Sequence, residues 1–168
     1  MYVMISVRSI TAGDWCDYRN IRLRALRDSP DAFGSTYEAE AVRNDDAWES
    51  RIADAIASGT SRILVALNQQ ELCGLVWCKL SASDPEAADI FQMWVAPTSR
   101  GSGAGRALLE EALTWARGTG ARRVRLDVAA SNSRAMRLYK SCGFRPAGPL
   151  EPLRDGSDLV VQPMELVF

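Results

Sequence analysis

A glycine-rich loop near the middle of the chain carries the residues that most clearly suggest chemistry. It contains Gly101, Gly103 and Gly105, with Arg100 before them and Arg106 after them. Successive glycines let neighbouring backbone N–H groups turn toward one point, and the first N–H groups of a following helix have no partner of their own. The helix dipole and the two arginines add positive charge. The loop therefore predicts a nest for an anion such as a pyrophosphate.

The spacing of these glycines excludes the two commonest nucleotide-binding loops. A dinucleotide fingerprint that begins at Gly101 needs glycine or alanine at position 106, where Arg106 stands. A Walker loop needs Gly-Lys-Ser/Thr, which is absent here. An apolar strand from Ile90 to Val95 ends at Pro97, and an amphipathic helix follows the loop. A connection that merely turns this strand into this helix is the alternative interpretation.

A second group of motif residues lies between positions 132 and 144. It reads Asn132-Ser-Arg-Ala135-Met-Arg-Leu138-Tyr139-Lys-Ser-Cys-Gly143-Phe144. Asn132 and Tyr139 are two helical turns apart, so their side chains share a face at a distance of about 10 Å along the axis. That spacing suits a long, thin ligand. Each residue also has a structural alternative, because asparagine is a common N-cap and a tyrosine on an amphipathic helix is more often part of the core.

Taken together, the two motifs resemble those of the GNAT (GCN5-related N-acetyltransferase) family. The first is similar to the family's acetyl-CoA pyrophosphate loop, Arg/Gln-x-x-Gly-x-Gly/Ala, and the second to Asn-x-x-Ala-x-x-Leu-Tyr-x-x-x-Gly-Phe. The resemblance covers most of the chain and is strong from about Ile90 to Phe144. It implies an α/β (α+β) fold, with a mixed, mostly antiparallel sheet of six to seven strands flanked by four helices. We expect one such domain over residues 1–168.

The resemblance also implies roles for individual residues. Tyr139 would be the general acid that protonates the leaving thiolate, and Asn132 would contact the co-substrate, acetyl-CoA. Backbone groups of Met93, Trp94 and Val95 would bind its pantetheine arm and acetyl carbonyl. The pyrophosphate would be held by the loop residues Arg100, Gly101, Ser102, Gly103, Ala104, Gly105 and Arg106.

The base that takes the proton from the amine is less clearly marked. An amine like that of lysine has a pKa of about 10.4 and is protonated at neutral pH. The chain has no histidine, so we expect a carboxylate to act on the amine or on a water molecule. Comparison with the family gives Asp89 or Asp127, each one methylene shorter than the family's glutamate. The structural alternative for Asp127 is an ion pair with Arg123 or Arg125, and for Asp89 it is a solvated position at the start of a strand.

The acceptor site is predicted in the segment between the first two long helices. Residues 30 to 44 show no clear periodicity, and a loop of this length in a compact domain is usually functional or mobile. Phe33, Tyr37 and Glu38 correspond to the region where the family usually builds its acceptor site. Glu38 and Glu40 are further alternatives for the base. Packing between two helices explains the aromatic residues equally well.

Composition and charge are those of an ordinary globular protein. The 168 residues include 20 basic and 21 acidic side chains, a balance that gives no reason to expect nucleic acid or a membrane as partner. Four cysteines form no Cys-x-x-Cys pair, so we expect reduced cysteines and no metal site. No stretch reaches the roughly 20 apolar residues of a membrane span. We therefore expect a cytoplasmic protein whose partners are a small-molecule or peptide amine acceptor and, in a homodimer, a second copy.

Hydrophobic periodicity predicts the element order β-α-α-β-β-β-α-β-α-β-β. A β-rich run from Val3 to Val7 opens this order, and a strand from Leu159 to Val167 closes it. Pro163 cannot donate to a strand ladder, so we expect the last strand to be bulged there or to lie on an edge.

Two functions of different classes are compatible with these patterns. The first is an N-acetyltransferase that moves an acetyl group from acetyl-CoA to a primary amine by direct transfer in a ternary complex. The second is a non-catalytic acyl-CoA-binding or sensing domain that retains the nest without turnover. Tyr139 favours the first function, whereas the lack of an assigned base is compatible with the second.

Overall fold

A single mixed β-sheet runs through the computed structural model, which describes residues 4–168. Its strands are β1 (Ile5–Ser9), β2 (Ser61–Asn68), β3 (Glu71–Leu80), β4 (Ala87–Val95), β5 (Arg123–Ala129), β6 (Arg145–Pro146), β7 (Glu151–Pro152) and β8 (Val160–Val167). The α-helices are α1 (Trp15–Asp28), α2 (Tyr37–Ala41), α3 (Asp45–Ser58), α4 (Ala104–Gly118) and α5 (Ser133–Ser141). Val3, where the predicted β-rich run begins, lies outside the described residues.

The strand order is β1-β2-β3-β4-β5-β8-β6, with β7 also beside β8. Every pairing is antiparallel except that of β4 with β5, which confirms the predicted mixed, mostly antiparallel sheet. The described residues form eight strands and five α-helices, because the two-residue strand β7 and the five-residue helix α2 add to the seven strands and four helices of the predicted order. Over the same residues, no helix is long and apolar enough to cross a membrane.

Helix α4 packs closely on one face of the sheet. Its fully buried residues are Leu108, Leu109, Ala112 and Ala116. A Cβ at Gly74 of β3 would lie 2.9 Å from the Leu108 side chain, so the absence of a side chain at this position allows the close approach of α4. Trp77 lies three positions further along β3 and therefore points to the opposite face. There it meets Tyr18 of α1, with ring centroids 5.7 Å apart.

The segment between α1 and α3 is more regular than its sequence pattern predicts. A short 3-10 turn covers Pro30–Ala32, and α2 follows. The Thr36 hydroxyl accepts a hydrogen bond from the Ala39 N–H at 3.2 Å and caps α2. Arg154 donates to two carbonyl oxygens in or next to the 3-10 turn, at 2.7 and 2.8 Å. These bonds fix the segment against the last part of the chain.

The prediction for Pro163 is wrong, and the pairing of β8 with β5 runs through Pro163 without a register shift, so the strand is not bulged there. Strand β8 is not an edge strand, because β5 lies on one side of it and β6 and β7 lie on the other. The Pro163 carbonyl accepts a hydrogen bond from the Ala147 N–H at 2.9 Å, on the side of the two short strands. A residue's nitrogen and carbonyl point to the same side of an antiparallel strand. The missing donor therefore costs no hydrogen bond to β5.

Strands β4 and β5 pair only at their beginnings. Residues 87–89 pair with residues 123–125, which makes three residue pairs. Beyond that point β4 continues to Val95 along β3, and β5 continues to Ala129 along β8. In the described chain, the two facing edges have no pairing after Asp89. The sheet therefore opens between them.

Candidate active site

A cavity of about 400 Å³ lies at the opening between β4 and β5. Residues 90–93 of β4 and 126–129 of β5 form two of its walls, and α5 contributes a third. The remaining lining comes from α1, α2, α3 and the segments that connect them, and from Pro152, Leu153 and Val161 in and next to β7 and β8. The cavity thus brings together residues that lie far apart in the sequence.

The glycine-rich loop has the geometry of an anion nest. Gly101 and Gly103 have φ angles of +80° and +91°, which glycine adopts at little cost. Among the residues described, the backbone N–H groups of Gly101, Gly103, Gly105 and Arg106 have no hydrogen-bond partner. The last two belong to the first turn of α4, where the helix dipole favours negative charge.

Gly105 connects this nest to the cavity. A Cβ at this position would lie 3.2 Å from the Leu138 side chain of α5 and 3.6 Å from that of Met93 in β4. Met93 also lines the cavity. The lack of a side chain at Gly105 therefore lets the first turn of α4 lie directly against the cavity wall.

Arg100 is already held by the protein. Its Nε donates to the Val95 carbonyl at 3.2 Å, and its Nη2 donates to the Asp28 carboxylate at 2.9 Å. Partial burial works against ionisation of Asp28, but hydrogen bonds from Ser29, Trp94 and Arg100 outweigh it and lower the pKa. The Trp94 indole N–H donates to the same carboxylate at 3.0 Å, and the Trp94 side chain does not line the cavity.

Arg106 points toward the end of α5. Its Nη2 donates to the Ser141 hydroxyl at 2.8 Å, and its Nη1 lies 3.5 Å from the Cys142 sulfur. The guanidinium also lies 3.9 Å from Glu110, one turn along α4. The side chain is exposed and links α4 to α5 beside the nest.

Tyr139 is both a core residue and a cavity residue, the two alternatives that its position in the sequence left open. Its ring is buried, with 5% of the residue exposed, and packs edge-to-face on Phe144 with centroids 5.8 Å apart. Its side chain lines the cavity, and within residues 4–168 no hydrogen bond acts on its hydroxyl. Burial raises the pKa of the phenol well above its usual value. The hydroxyl therefore remains protonated and able to donate at neutral pH.

Asn132 is a helix cap and also lines the cavity. Its Oδ1 accepts a hydrogen bond from the Ala135 N–H at 3.1 Å, which caps α5. The side chain is exposed at the cavity wall. Its amide nitrogen is a donor that the cap does not use.

The two candidate bases occupy different environments. Asp89 does not line the cavity, and its carboxylate binds the Arg125 guanidinium at 3.2 Å. The solvated position considered for Asp89 is therefore an ion pair. Arg123 binds Asp84, so neither arginine is left for Asp127, and the predicted ion-pair alternative for Asp127 is wrong.

Asp127 is the candidate base that lines the cavity. Over the described part of the chain, its carboxylate forms no salt bridge. Partial burial raises its pKa, and the negative charges of Glu151 and Asp89 raise it further. A carboxylate with a raised pKa holds a proton more readily and is a better base.

The structure brings only part of the predicted acceptor set to the cavity. Phe33 is buried and lines it. Tyr37 does not, because its hydroxyl is bound by Arg27 at 2.6 Å. Glu38 lies exposed in the first turn of α2, away from the cavity. The correction follows from helix geometry, since a segment predicted as irregular is a helix whose cavity-facing acid is Glu40.

Glu40 is part of a buried ion pair that the sequence patterns did not indicate. Its carboxylate binds Arg22 at 2.8 and 3.2 Å, and both side chains are almost completely buried. Burial works against the charge, but bonds from Arg22, Ser35 and Arg43 outweigh it and lower the Glu40 pKa. A carboxylate held in this way is a poor base, so Glu40 is not the base. One signal was present, because Arg22 lies on the apolar face of α1, one turn after Tyr18.

Gln92 is a second cavity residue that the sequence did not indicate. It is buried, and its backbone has a φ of +59°, in the left-handed region. Such a conformation costs about 1–3 kcal/mol and persists only where its surroundings fix it. The Tyr18 hydroxyl donates to the Gln92 Oε1 at 2.7 Å. At this point the register between β3 and β4 shifts, as it does at a β-bulge.

The comparisons with known proteins agree with this architecture. The model of the acetyltransferase (GNAT) family matches residues 22–144. A mycothiol acetyltransferase from Stackebrandtia nassauensis is 31% identical over 146 residues, which are 83% of this chain and 44% of that protein. The chain thus spans less than half the length of that curated relative.

Solved structures show the same fold over almost the whole chain. An acetyltransferase of the GNAT family from Streptococcus pneumoniae superposes with a TM-score of 0.83 at 21% identity, covering 98% of this chain and 99% of that one. The protein yncA from Salmonella typhimurium, solved with its cofactor acetyl-CoA, gives 0.79 at 19% identity, covering 98% and 94%. With the family match over residues 22–144, these findings establish that the chain belongs to the GNAT family of acetyltransferases.

Proposed function

We propose that the chain transfers an acetyl group from acetyl-CoA directly to a primary amine in a ternary complex. One observation carries this proposal. Tyr139 and Asp127 line one cavity, and within the described residues no hydrogen bond acts on the Tyr139 hydroxyl or the Asp127 carboxylate and no salt bridge includes Asp127. A proton donor and a proton acceptor beside one space are what the two ends of an acyl transfer to nitrogen require.

The residues around the cavity fit acetyl-CoA, whose thioester would supply the acetyl group. The unbonded N–H groups of the nest and the first turn of α4 suit its pyrophosphate. The unpaired edges of β4 and β5 suit the amides of its pantetheine arm, since they offer backbone donors and acceptors. The unused amide nitrogen of Asn132 is one more donor at the cavity wall.

Tyr139 and Asp127 would move the protons of the reaction. The amine nitrogen forms a bond to the acetyl carbon while the bond from that carbon to sulfur breaks, and the sulfur leaves with the electron pair. Tyr139 gives its proton to this sulfur, and Asp127, directly or through water, receives the proton that the nitrogen loses. The burial that raises the phenol pKa also disfavours a free thiolate beside it, so the departing sulfur would take up a proton.

We also propose that this transfer needs no metal, that the protein is cytoplasmic and that it forms a homodimer. Tyr139 and Asp127 account for both proton transfers without a Lewis acid. The four cysteines are free, as expected for a reducing compartment. Turnover should survive EDTA, and its loss would contradict the metal-free mechanism. Light scattering should give twice the 18.4 kDa mass of the chain, and a single-chain mass would contradict the homodimer.

Thiol release from acetyl-CoA with a panel of amines tests the proposal. Acetyl-CoA should raise the melting temperature of the parent protein, and at least one amine should support thiol release. Tyr139→Phe should lower kcat by about 10²–10⁴-fold, because the proton donor is lost. Tyr37→Phe is the matched control, since that hydroxyl binds Arg27 away from the cavity, and it should keep parental kcat. Stabilisation by acetyl-CoA without turnover on any amine would instead indicate the acyl-CoA-sensing domain.

A further inference from the structure

Three arginines and one glutamate line the side of the cavity formed by the helices. We name this group, Arg22, Glu40, Arg43 and Arg51, the arginine wall. Three guanidinium groups face one carboxylate, and Glu40 is held ionised by its hydrogen bonds from Arg22 and Arg43. The wall therefore carries two positive charges in excess. The other walls of the cavity contribute one charged side chain, Asp127.

Two donors of the arginine wall are buried without a partner. Arg22 is 4% exposed, and its Nη1 has no hydrogen-bond partner among the described residues, although its Nε and Nη2 bind Glu40. The Nε of Arg51 is likewise buried and unpaired. A buried donor without an acceptor is unfavourable, and the penalty is larger for a charged group. Both residues line the cavity, so the wall holds hydrogen-bonding capacity that Glu40 does not use.

Aromatic rings hold the three guanidinium groups in place. Arg22 lies 4.8 Å above the Phe33 ring, Arg43 lies 5.4 Å above Trp48, and Arg51 lies 5.3 Å above Trp77. A guanidinium fixed over a ring keeps its N–H edges available for the planar, two-pronged contacts that carboxylates and phosphates make. The wall is thus rigid before any ligand arrives.

We propose that the acceptor is a small amine that also carries a carboxylate or a phosphate, and that this anionic group binds the arginine wall. The inference rests on the proposed acetyl transfer and names its substrate class. The amine then lies toward Asp127, because the two ends of such a molecule match the two opposite charges of the cavity. A polyamine would instead bring like charge to the wall, which is unfavourable.

Matched pairs of acceptors test the charge of the substrate. O-Phosphoethanolamine is compared with ethanolamine, and unbranched amino acids of increasing chain length are compared with their amides. We expect the better anionic member to have a kcat/KM at least about tenfold above that of its neutral partner, as loss of a charged hydrogen bond would give. Comparison of the phosphate pair with the carboxylate pairs shows which of the two anionic groups the arginine wall prefers. Equal or better use of spermidine and the neutral partners would overturn the proposal.

A variant of the wall tests the residues. Arg51→Met removes one charge and one unpaired donor while keeping an apolar contact with Trp77. It should raise KM for the anionic acceptor about tenfold and change KM for the neutral one less than about twofold. Arg117→Met is the control, because that guanidinium lies 4.7 Å above the Phe168 ring outside the cavity, and it should change neither value. An equal loss with both acceptors would mean that Arg51 is only structural.

A binding measurement separates failure of this proposal from failure of acetyl transfer. Calorimetry with 4-acetamidobutanoate, an acetylated product with an anionic end, is carried out with coenzyme A saturating the nest. The parent should bind it, and the double variant Arg43→Met/Arg51→Met, which removes both excess positive charges while Arg22 stays paired with Glu40, should bind at least about tenfold more weakly. Binding that this variant leaves unchanged overturns the proposal even if turnover is found. If coenzyme A does not bind, the proposed function is overturned. Binding of 4-acetamidobutanoate to the protein without coenzyme A then tests the arginine wall.

Discussion

The two sides of the cavity recognise their ligands in different ways. On the side of α4 and α5, the groups that would bind are mostly backbone: the N–H groups of the nest and the unpaired edges of β4 and β5. On the side of α1, α2 and α3, they are charged side chains from three separate helices. Backbone groups are the same for every sequence that adopts the loop, whereas side chains differ with each substitution. The first side is therefore suited to a shared co-substrate and the second to an individual acceptor.

The same contrast appears in how each side is held together. The nest needs only local conformations, which glycines at successive positions supply. The arginine wall needs Arg22 and Glu40 to meet from α1 and α2 in a buried ion pair. Removing one partner of such a pair leaves an uncompensated buried charge. Loss of one partner of the Arg22–Glu40 pair should therefore lower the stability of the fold, whereas loss of Tyr139 or Asp127 should lower the rate of transfer.

The largest expected effect concerns the candidate bases. Asp127→Asn should lower kcat/KM by about 10²–10⁴-fold, because the group that accepts the proton is lost. Asp89→Asn should cost less than about tenfold, because its carboxylate binds Arg125 outside the cavity. Steady-state thiol release measures both. If Asp89→Asn has the larger effect, the assignment of the base is wrong.

The pH profile sharpens this assignment. A base works only when ionised, so kcat/KM of the parent should fall as pH drops through the Asp127 pKa, which burial and nearby negative charges raise above the ordinary value of 3.8. Asp127→Asn should lack this fall. The profile is best taken with an acceptor amine of known pKa, so that protonation of the amine is separated from that of the enzyme. An unchanged acidic limb in the variant would assign the fall to another group.

On the acceptor side, the ion pair should dominate stability. Arg22→Met should lower the free energy of unfolding by about 3–5 kcal/mol, because Glu40 stays buried without its main partner. Arg19→Met removes an exposed pair with Asp45, also at 2.8 Å, and should cost less than about 1 kcal/mol. Urea denaturation measures both variants, and equal losses would mean that burial does not distinguish the two pairs.

Acid should weaken the same ion pair in a defined direction. Hydrogen bonds lower the Glu40 pKa in the folded state below its ordinary value of 4.5. The stability that this group contributes is therefore present above its unfolded pKa and is lost as pH falls through the folded one. In the paired variant Arg22→Met/Glu40→Met, stability should depend less steeply on pH over this acidic range. Denaturation at several pH values measures the difference.

The smallest expected effect is at Gly105, where the nest meets the cavity, and Gly118 at the other end of α4 serves as the comparison. Gly118→Ala in α4 should stabilise the protein by about 0.5–1 kcal/mol, because alanine favours the helix and its Cβ meets no atom within 4 Å. Gly105→Ala should lose that gain, since its Cβ would lie 3.2 Å from Leu138, and should weaken acetyl-CoA binding a few-fold, by about 1 kcal/mol or less. Thermal unfolding and calorimetry measure the two effects. An equal gain at both positions would show that the junction tolerates a side chain.

The sequence was informative where neighbouring residues act together. The nest and the Asn132 to Phe144 motif are each contiguous, so their spacing predicted the loop, the helix and the place of Tyr139. The alternation of helix and strand patterns predicted the sheet, apart from the two-residue strand β7, which is too short to show a period. The positive φ of Gln92 in β4 carried no signal, because glutamine seldom adopts an angle of +59° and its hydrogen-bond partner Tyr18 lies 74 residues away.

The acceptor side was only partly predictable for a related reason. Glu38 and Glu40 are two residues apart, and their sequence does not tell which one faces the cavity until α2 is known to be helical. Eighteen residues separate Arg22 from Glu40, so their contact depends on how α1 and α2 pack. Choosing between Asp89 and Asp127 likewise required the partners of Arg123 and Arg125, which lie on neighbouring segments.

The three residue pairs that join β4 to β5 have a mechanical consequence. They are the direct strand contacts between the β1–β4 half of the sheet and the half built from β5, β8 and the short strands, in the described chain. A linear molecule with amide groups, bound in the opening between β4 and β5, would form backbone hydrogen bonds that the two strands do not form with each other. Occupancy should then stiffen the whole sheet, so that loading the enzyme and tightening its architecture become one event.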